Sequence, residues 1–253
     1  MPLKASISRT GVILAAGFGS RLRGVSDDTS LKPLTPVAGK PLLLRTLRSL
    51  EIAGCDRIVV VLGHGAGDVQ AQIERRYEGD AKLFFALNPH YELQNGLSVL
   101  TARPFVEGPF ILSMADHVFG DEVMTVAGAH KPVPNGATLL VDHKLNMIFD
   151  MDDATKVRSD GDRIAAIGKQ IIGYDCVDTG VFVCTMGLID ALDVVFKEKG
   201  DASLSDGVAE LAATDRMRIL DIGEGFWQDV DTPEMLAHAE EVLEQREGIS
   251  LPD

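Results

Sequence analysis

Residues 11–22 read Gly11-Val12-Ile13-Leu14-Ala15-Ala16-Gly17-Phe18-Gly19-Ser20-Arg21-Leu22, and Leu31-Lys32-Pro33-Leu34 follows soon after. Gly11–Ala15 is a short aliphatic run closed by a glycine turn, which predicts a buried strand rather than a helix. Glycines placed directly after a strand let the backbone approach phosphate oxygens and turn its N–H groups toward them. Arg21 and Lys32 supply fixed positive charge to such a turn. A Walker A loop is excluded, because no Gly-Lys-Ser/Thr opens a helix here. A dinucleotide-binding fingerprint also fails: Leu22 occupies the third-glycine position, and the next strand ends in Gly63 without a ribose-binding acid.

The segments that follow repeat the strand-and-helix alternation. Arg57–Leu62, Leu83–Leu87 and Phe110–Met114 predict three more strands. Between them, Pro41–Ala53 presents an apolar helical face with proline at its start, and Val69–Tyr77 is a shorter helix. This rhythm predicts a mostly parallel sheet with helices on both faces. After His130 it changes. Ala137–Val141, Lys156–Arg158, Arg163–Ile167 and Val177–Cys184 read as strands, and Ser159-Asp160-Gly161-Asp162 as a hairpin turn, so antiparallel additions are expected. Helices return at Leu188–Lys199, Leu204–Ala213 and Pro233–Gln245, the last with Thr232 as N-cap. No linker or repeat divides the 253 residues, and a single domain is expected.

The net charge of −14 disfavours nucleic acid and anionic membranes as partners. The first 50 residues nevertheless carry eight Lys/Arg against Asp27 and Asp28, which would draw a small anion there. Three cysteines without CxxC or Cys/His clustering support neither a disulfide framework nor a zinc site, and a reducing cytoplasm fits best. The apolar run at Val12–Ala16 is too short for a signal core or a membrane span.

LAAGFGSRL followed by LKPLTPVAGKPLL is similar to the signature of the sugar-phosphate nucleotidyltransferase family, whose fold is Rossmann-like α/β. The resemblance implies that the glycine-rich loop wraps a nucleoside triphosphate. Leu14, Ala15, Ala16, Gly17, Gly19 and Ser20 would then bind nucleotide, and Arg21 and Lys32 would stabilise charge during transfer. Further motifs extend the likeness to residue 236.

Asp116, in Ser113-Met114-Ala115-Asp116-His117, ends the fourth strand, and Asp229 and Asp231 precede the last helix. A lone carboxylate at a strand end is commonly a cap. Two separated acidic clusters suit Mg²⁺, which is held by one or two carboxylates plus substrate oxygens. The resemblance assigns Asp116, Asp229 and Asp231 to the metal, without choosing between the last two as the closer ligand. Gln94-Asn95-Gly96-Leu97-Ser98 reads either as a turn opening a helix or as a base-recognition segment. By family position Asn95, Gly96 and Ser98 would contact base and ribose.

Among the later strands, Lys156 and Lys169 read as solvated edge residues or as cations for an acceptor phosphate. The resemblance favours the second role and adds Asp178, Thr179 and Gly180 to the acceptor side. MADH, DDATKV and YDCVDTG look most like the branch that transfers a cytidylyl group from CTP to inositol 1-phosphate. Uridylyl or cytidylyl transfer to a sugar 1-phosphate, phosphocholine or a phosphonate is the alternative. Two further classes, a nicotinamide-dependent oxidoreductase and a silent nucleotide-binding regulator, fit the motifs less well. The remaining histidines, 64, 90, 130, 143 and 238, read as surface or turn residues, and Trp227 as packing beside the acidic loop.

Overall fold

The computed structural model describes residues 9–18 and 31–247. Gly19, Ser20 and Arg21 therefore lie outside the described residues. A nine-stranded sheet forms the centre. Its strands are β1 (Thr10–Ala15), β2 (Arg57–Leu62), β3 (Lys82–Leu87), β4 (Phe110–Met114), β5 (Ala137–Asp142), β6 (Lys156–Asp160), β7 (Arg163–Gly168), β8 (Cys176–Cys184) and β9 (Met217–Asp221). The order β7-β6-β8-β4-β1-β2-β3 runs across it, with β5 pairing β8 and β9 pairing β5. β1, β2, β3 and β4 are mutually parallel where they pair, whereas β8 is antiparallel to β4, β5 and β6. The expected mostly parallel sheet with antiparallel additions is thus observed.

Side-chain alternation along buried strands builds a core on each face. Val12, Val59, Val61 and Leu112 pack with residues of α3 (Gly96–Ala102), α5 (Met186–Lys199) and α6 (Leu204–Ala213). Ile13, Ile58, Val60 and Ile111 face the other way, against α1 (Leu42–Ile52), α2 (Ala66–Arg76) and α4 (Asp121–Ala129). Leu43, Leu47 and Leu50 of α1 are fully buried, each contributing roughly 1.5–3 kcal/mol of burial. Gly11 permits this close approach, because a Cβ there would sit 2.7 Å from the Leu50 side chain.

α2 starts at Ala66, before the expected Val69, behind a left-handed Gly65. The elements not expected include α4, β9, a short pairing of Pro36–Val37 with Lys40–Pro41, and a ribbon pairing His117–Phe119 with Trp227–Asp229. The ribbon strands are three residues each, too short to show a period. A third small core, with Val118, Val230, Leu236 and Leu243, holds α7 (Pro233–Glu247) beneath that ribbon. The Thr232 hydroxyl accepts from the Met235 N–H, the cap expected there.

β8 changes neighbours halfway. Cys176 and Val177 pair with β6, whereas Val181 to Cys184 pair with β4, and the register with β5 shifts between Asp178 and Phe182. The intervening Asp178-Thr179-Gly180 turns with Gly180 at φ +76, and the gap it leaves between β6 and β4 opens toward the ribbon. A Cβ on Gly180 would lie 2.9 Å from Nε2 of His117. Gly180→Ala is expected to cost about 1–3 kcal/mol through backbone strain and this clash, measured as a lower urea midpoint. An unchanged midpoint would contradict a rigid turn.

Candidate active site

The ribbon brings two distant acidic segments together. Its antiparallel register sets Asp229 opposite His117, and Val230 N–H donates to the Asp116 carbonyl at 2.8 Å. Asp116 leaves the end of β4 beside β1, where Ala115 N–H donates to the Leu14 carbonyl. Lys32 enters from a short 3-10 turn, Lys32–Leu34. Its ammonium donates to Asp116 Oδ2 at 2.5 Å and also to Asp231 Oδ1. Residues far apart in the chain thus meet around one cation.

Asp116 has a second partner, since its Oδ1 lies 2.7 Å from His117 Nδ1. The His117 ring stacks near-parallel to the rings of Phe119 and Trp227, with centroids 5.9 and 5.8 Å away. The Trp227 indole N–H in turn donates to Asp142 Oδ2 at 3.0 Å, so the stack is anchored to the end of β5. Burial alone would raise the Asp116 pKa, but the Lys32 ammonium and His117 outweigh it and hold the carboxyl well below the usual range. His117 is shifted the other way. Burial opposes its charged form, yet Asp116 and then Asp229 raise its pKa. Asp229 is raised by burial and by the neighbouring Asp116 charge.

A cleft of ≈ 300 Å³ opens beside these groups, in the gap made by β8. Asp153, Asp229 and Asp231 line it, with carboxylate oxygens all within 4.8 Å of one another. This donor set is oxygen only, the chemistry that a hard divalent cation selects. Asp153 was not assigned to the metal from sequence, because the acid-rich run Asp150–Asp153 reads equally as a solvated loop. Lys169 reaches the same cleft and donates to Asp153 Oδ1 at 2.5 Å. His117, likewise unassigned, could have been found only through its neighbour Asp116.

The other expected residues are distributed unevenly. Leu14, Ala15 and Ala16 are buried at the end of β1, with the Ala16 carbonyl accepting from His64 N–H. Gly17 is exposed and a Cβ there would meet nothing. Asn95 lines the cleft, but its Oδ1 accepts from Leu204 N–H. A Cβ on Gly96 would meet the Ala202 carbonyl at 2.5 Å, so helix packing also requires that glycine. Ser98 is buried and accepts from the Asn88 amide. Its hydroxyl is engaged inside the protein, against the expectation of a ligand contact. Thr179 is also turned inward, fully buried with its hydroxyl on the Leu140 carbonyl. Lys156 is buried, its ammonium on the Asp152 carbonyl, and it does not line the cleft. Asp178 and Gly180 do line it.

A lysine ammonium held among clustered carboxylates at the carboxyl ends of parallel strands is an arrangement suited to phosphate chemistry. Residues 11–144, just over half of the chain, match the MobA-like NTP transferase domain, and the chain belongs to that family. It is 31% identical to the bifunctional IPC transferase and DIPP synthase of Aquifex aeolicus, over 92% of this chain and 51% of that protein. The protein of the same description from Rubrobacter xylanophilus is 34% identical, over 96% of this chain and 54% of its own length. The chain therefore spans about half the length of these curated relatives. Among solved structures, the inositol-1-phosphate CTP transferase from T. maritima superposes with a TM-score of 0.83 at 28% identity. That match covers 97% of this chain and 99% of the other.

Asp178 yields a test of the cleft's polarity. Burial pushes its carboxyl up to about 6, against the Gly180 N–H that donates to it and the charge of His117. A raised carboxylate pKa means that the folded protein holds a proton which the unfolded chain releases near pH 4. The penalty is therefore absent below pH 4, grows as pH rises toward 6, and is constant above. Asp178→Asn keeps the acceptor for Gly180 and is expected to be more stable than wild type by about 1–3 kcal/mol at pH 7, with the difference vanishing below pH 4. Urea unfolding at several pH values measures this, and a difference independent of pH would refute it.

Proposed function

We propose that this chain transfers the cytidylyl group of CTP to the phosphate of inositol 1-phosphate, releasing pyrophosphate and forming a CDP-linked product, with Mg²⁺ as the ion. The observation that carries the reading is Lys32 held against Asp116 and Asp231 at the end of the parallel strands. It is supported by the similarity of nearly the whole chain to a solved inositol-1-phosphate CTP transferase.

The acceptor is already a nucleophile. A phosphate monoester with a second pKa of about 6 is largely dianionic at pH 7, so no general base is required. One acceptor oxygen attacks the α-phosphorus of CTP, the bond to the β-phosphate oxygen breaks, and its electron pair leaves with pyrophosphate. The chain's task is to hold two polyanions in line and to neutralise charge at the α-phosphate. Lys32 would serve the triphosphate with Arg21, and the backbone from Leu14 through Gly17, Gly19 and Ser20 would cradle it. Asp116, Asp229 and Asp231, joined by Asp153, would hold the ion, which when bound neutralises phosphate charge. Lys169 would grip the acceptor phosphate, with Asp178 accepting from ring hydroxyls. Asn95 and Gly96 would lie along the base and ribose.

Pyrophosphate release is expected only when Mg²⁺, CTP and inositol 1-phosphate are all present. Asp116→Ala should lower kcat by orders of magnitude while leaving circular dichroism unchanged. Activity that survives EDTA would overturn the metal dependence, and activity that survives this substitution would overturn the role of Asp116.

CTP is expected to exceed UTP about tenfold in kcat/KM, equivalent to about 1.4 kcal/mol, the scale of one extra hydrogen bond to the cytosine amino group. Lys169→Ala should raise the acceptor KM about tenfold, as loss of a charge-assisted contact predicts, with CTP affinity nearly unchanged. Better turnover of phosphocholine or glucose 1-phosphate would sink the acceptor assignment alone.

A further inference from the structure

Asp153 belongs to two groupings at once. Its carboxylate is within 4.8 Å of those of Asp229 and Asp231, and it also accepts from the Lys169 ammonium at 2.5 Å. Three carboxylates so close repel one another unless cations stand among them. Among the described residues those cations include two ammonium groups, Lys32 on Asp231 and Lys169 on Asp153. The two differ in how firmly they are held. Lys32 is 12% exposed and bridges two carboxylates, whereas Lys169 is 51% exposed and its Asp153 contact is open to water. An exposed ion pair is worth little and is readily exchanged.

From these contacts we infer that Lys169 is a tethered counter-ion that competes with the divalent metal for Asp153. The inference rests on the metal-dependent reading of the cleft given above. When a divalent cation takes Asp153 with Asp229 and Asp231, the Lys169 ammonium is displaced but stays in the cleft, on the side lined by Asp178. Metal entry thereby frees the cation that the acceptor phosphate needs, and any anion that draws Lys169 away strengthens metal binding by the same factor. Asp153 is the positioning residue that couples the two events.

The test is a Mn²⁺ titration of the full chain, without nucleotide or acceptor, followed by electron paramagnetic resonance of the free ion. Lys169→Met removes the competitor and is expected to tighten Mn²⁺ about two- to fivefold, the span of an exposed ion pair. Asp153→Asn should weaken Mn²⁺. In the Asp153→Asn background, Lys169→Met should have no further effect, which separates competition at this carboxylate from a general loss of positive charge. Lys169→Gln repeats the measurement should the methionine variant fold poorly. Unchanged or weaker Mn²⁺ binding in Lys169→Met would overturn the inference, as would equal tightening in both backgrounds. No acceptor enters this cycle, so its outcome is independent of which phosphorylated compound the cleft takes.

Discussion

Clustered negative charge is the constraint on which the rest of this structure depends. Asp153, Asp229 and Asp231 converge on one cleft, with Asp116 joined to Asp231 through Lys32, and the mutual repulsion of these carboxylates would open the site unless cations were fixed among them. Lys32 meets that need on one side, Lys169 on the other, and His117 gives Asp116 a second donor. Lys32 first and then His117 depress the Asp116 pKa, and the Asp116–His117 contact also raises that of His117.

The fold supplies this convergence through two departures from a regular sheet. β8 abandons β6 and takes up β4 in mid-course, leaving a gap that a continuous strand pairing would have closed. The ribbon of His117–Phe119 with Trp227–Asp229 then crosses over that gap and ties the carboxyl end of β4 to the start of α7. Both devices sit where the parallel strands end, which is where open α/β sheets place their ligands. Rigid strands fix Asp116, and the short 3-10 turn that carries Lys32 packs against α1 and α2.

Much of this was legible in the chain. Strands such as Arg57–Leu62 and Phe110–Met114 announced themselves, because buried parallel strands are continuous apolar runs bounded by turns. The family signature singled out Lys32 and Asp116, and the structure brings these two residues together. What stayed hidden depends on tertiary pairing. Nothing local marks Asp153 as a neighbour of Asp229, nor predicts that Ser98 and Thr179 spend their hydroxyls inside the protein. Lys156 and Lys169 look alike as strand-end lysines, yet one is buried on a carbonyl and the other faces the cleft.

Trp227 is the sole tryptophan of the chain, and it stands in the wall of the cleft, stacked on the ring that orients Asp116. Protonated imidazole quenches indole emission, so the brightness and colour of this one fluorophore register the charge of His117 and the filling of the space beside it. The chain carries its own optical gauge in the wall of the cleft, and no label is needed to watch that space fill.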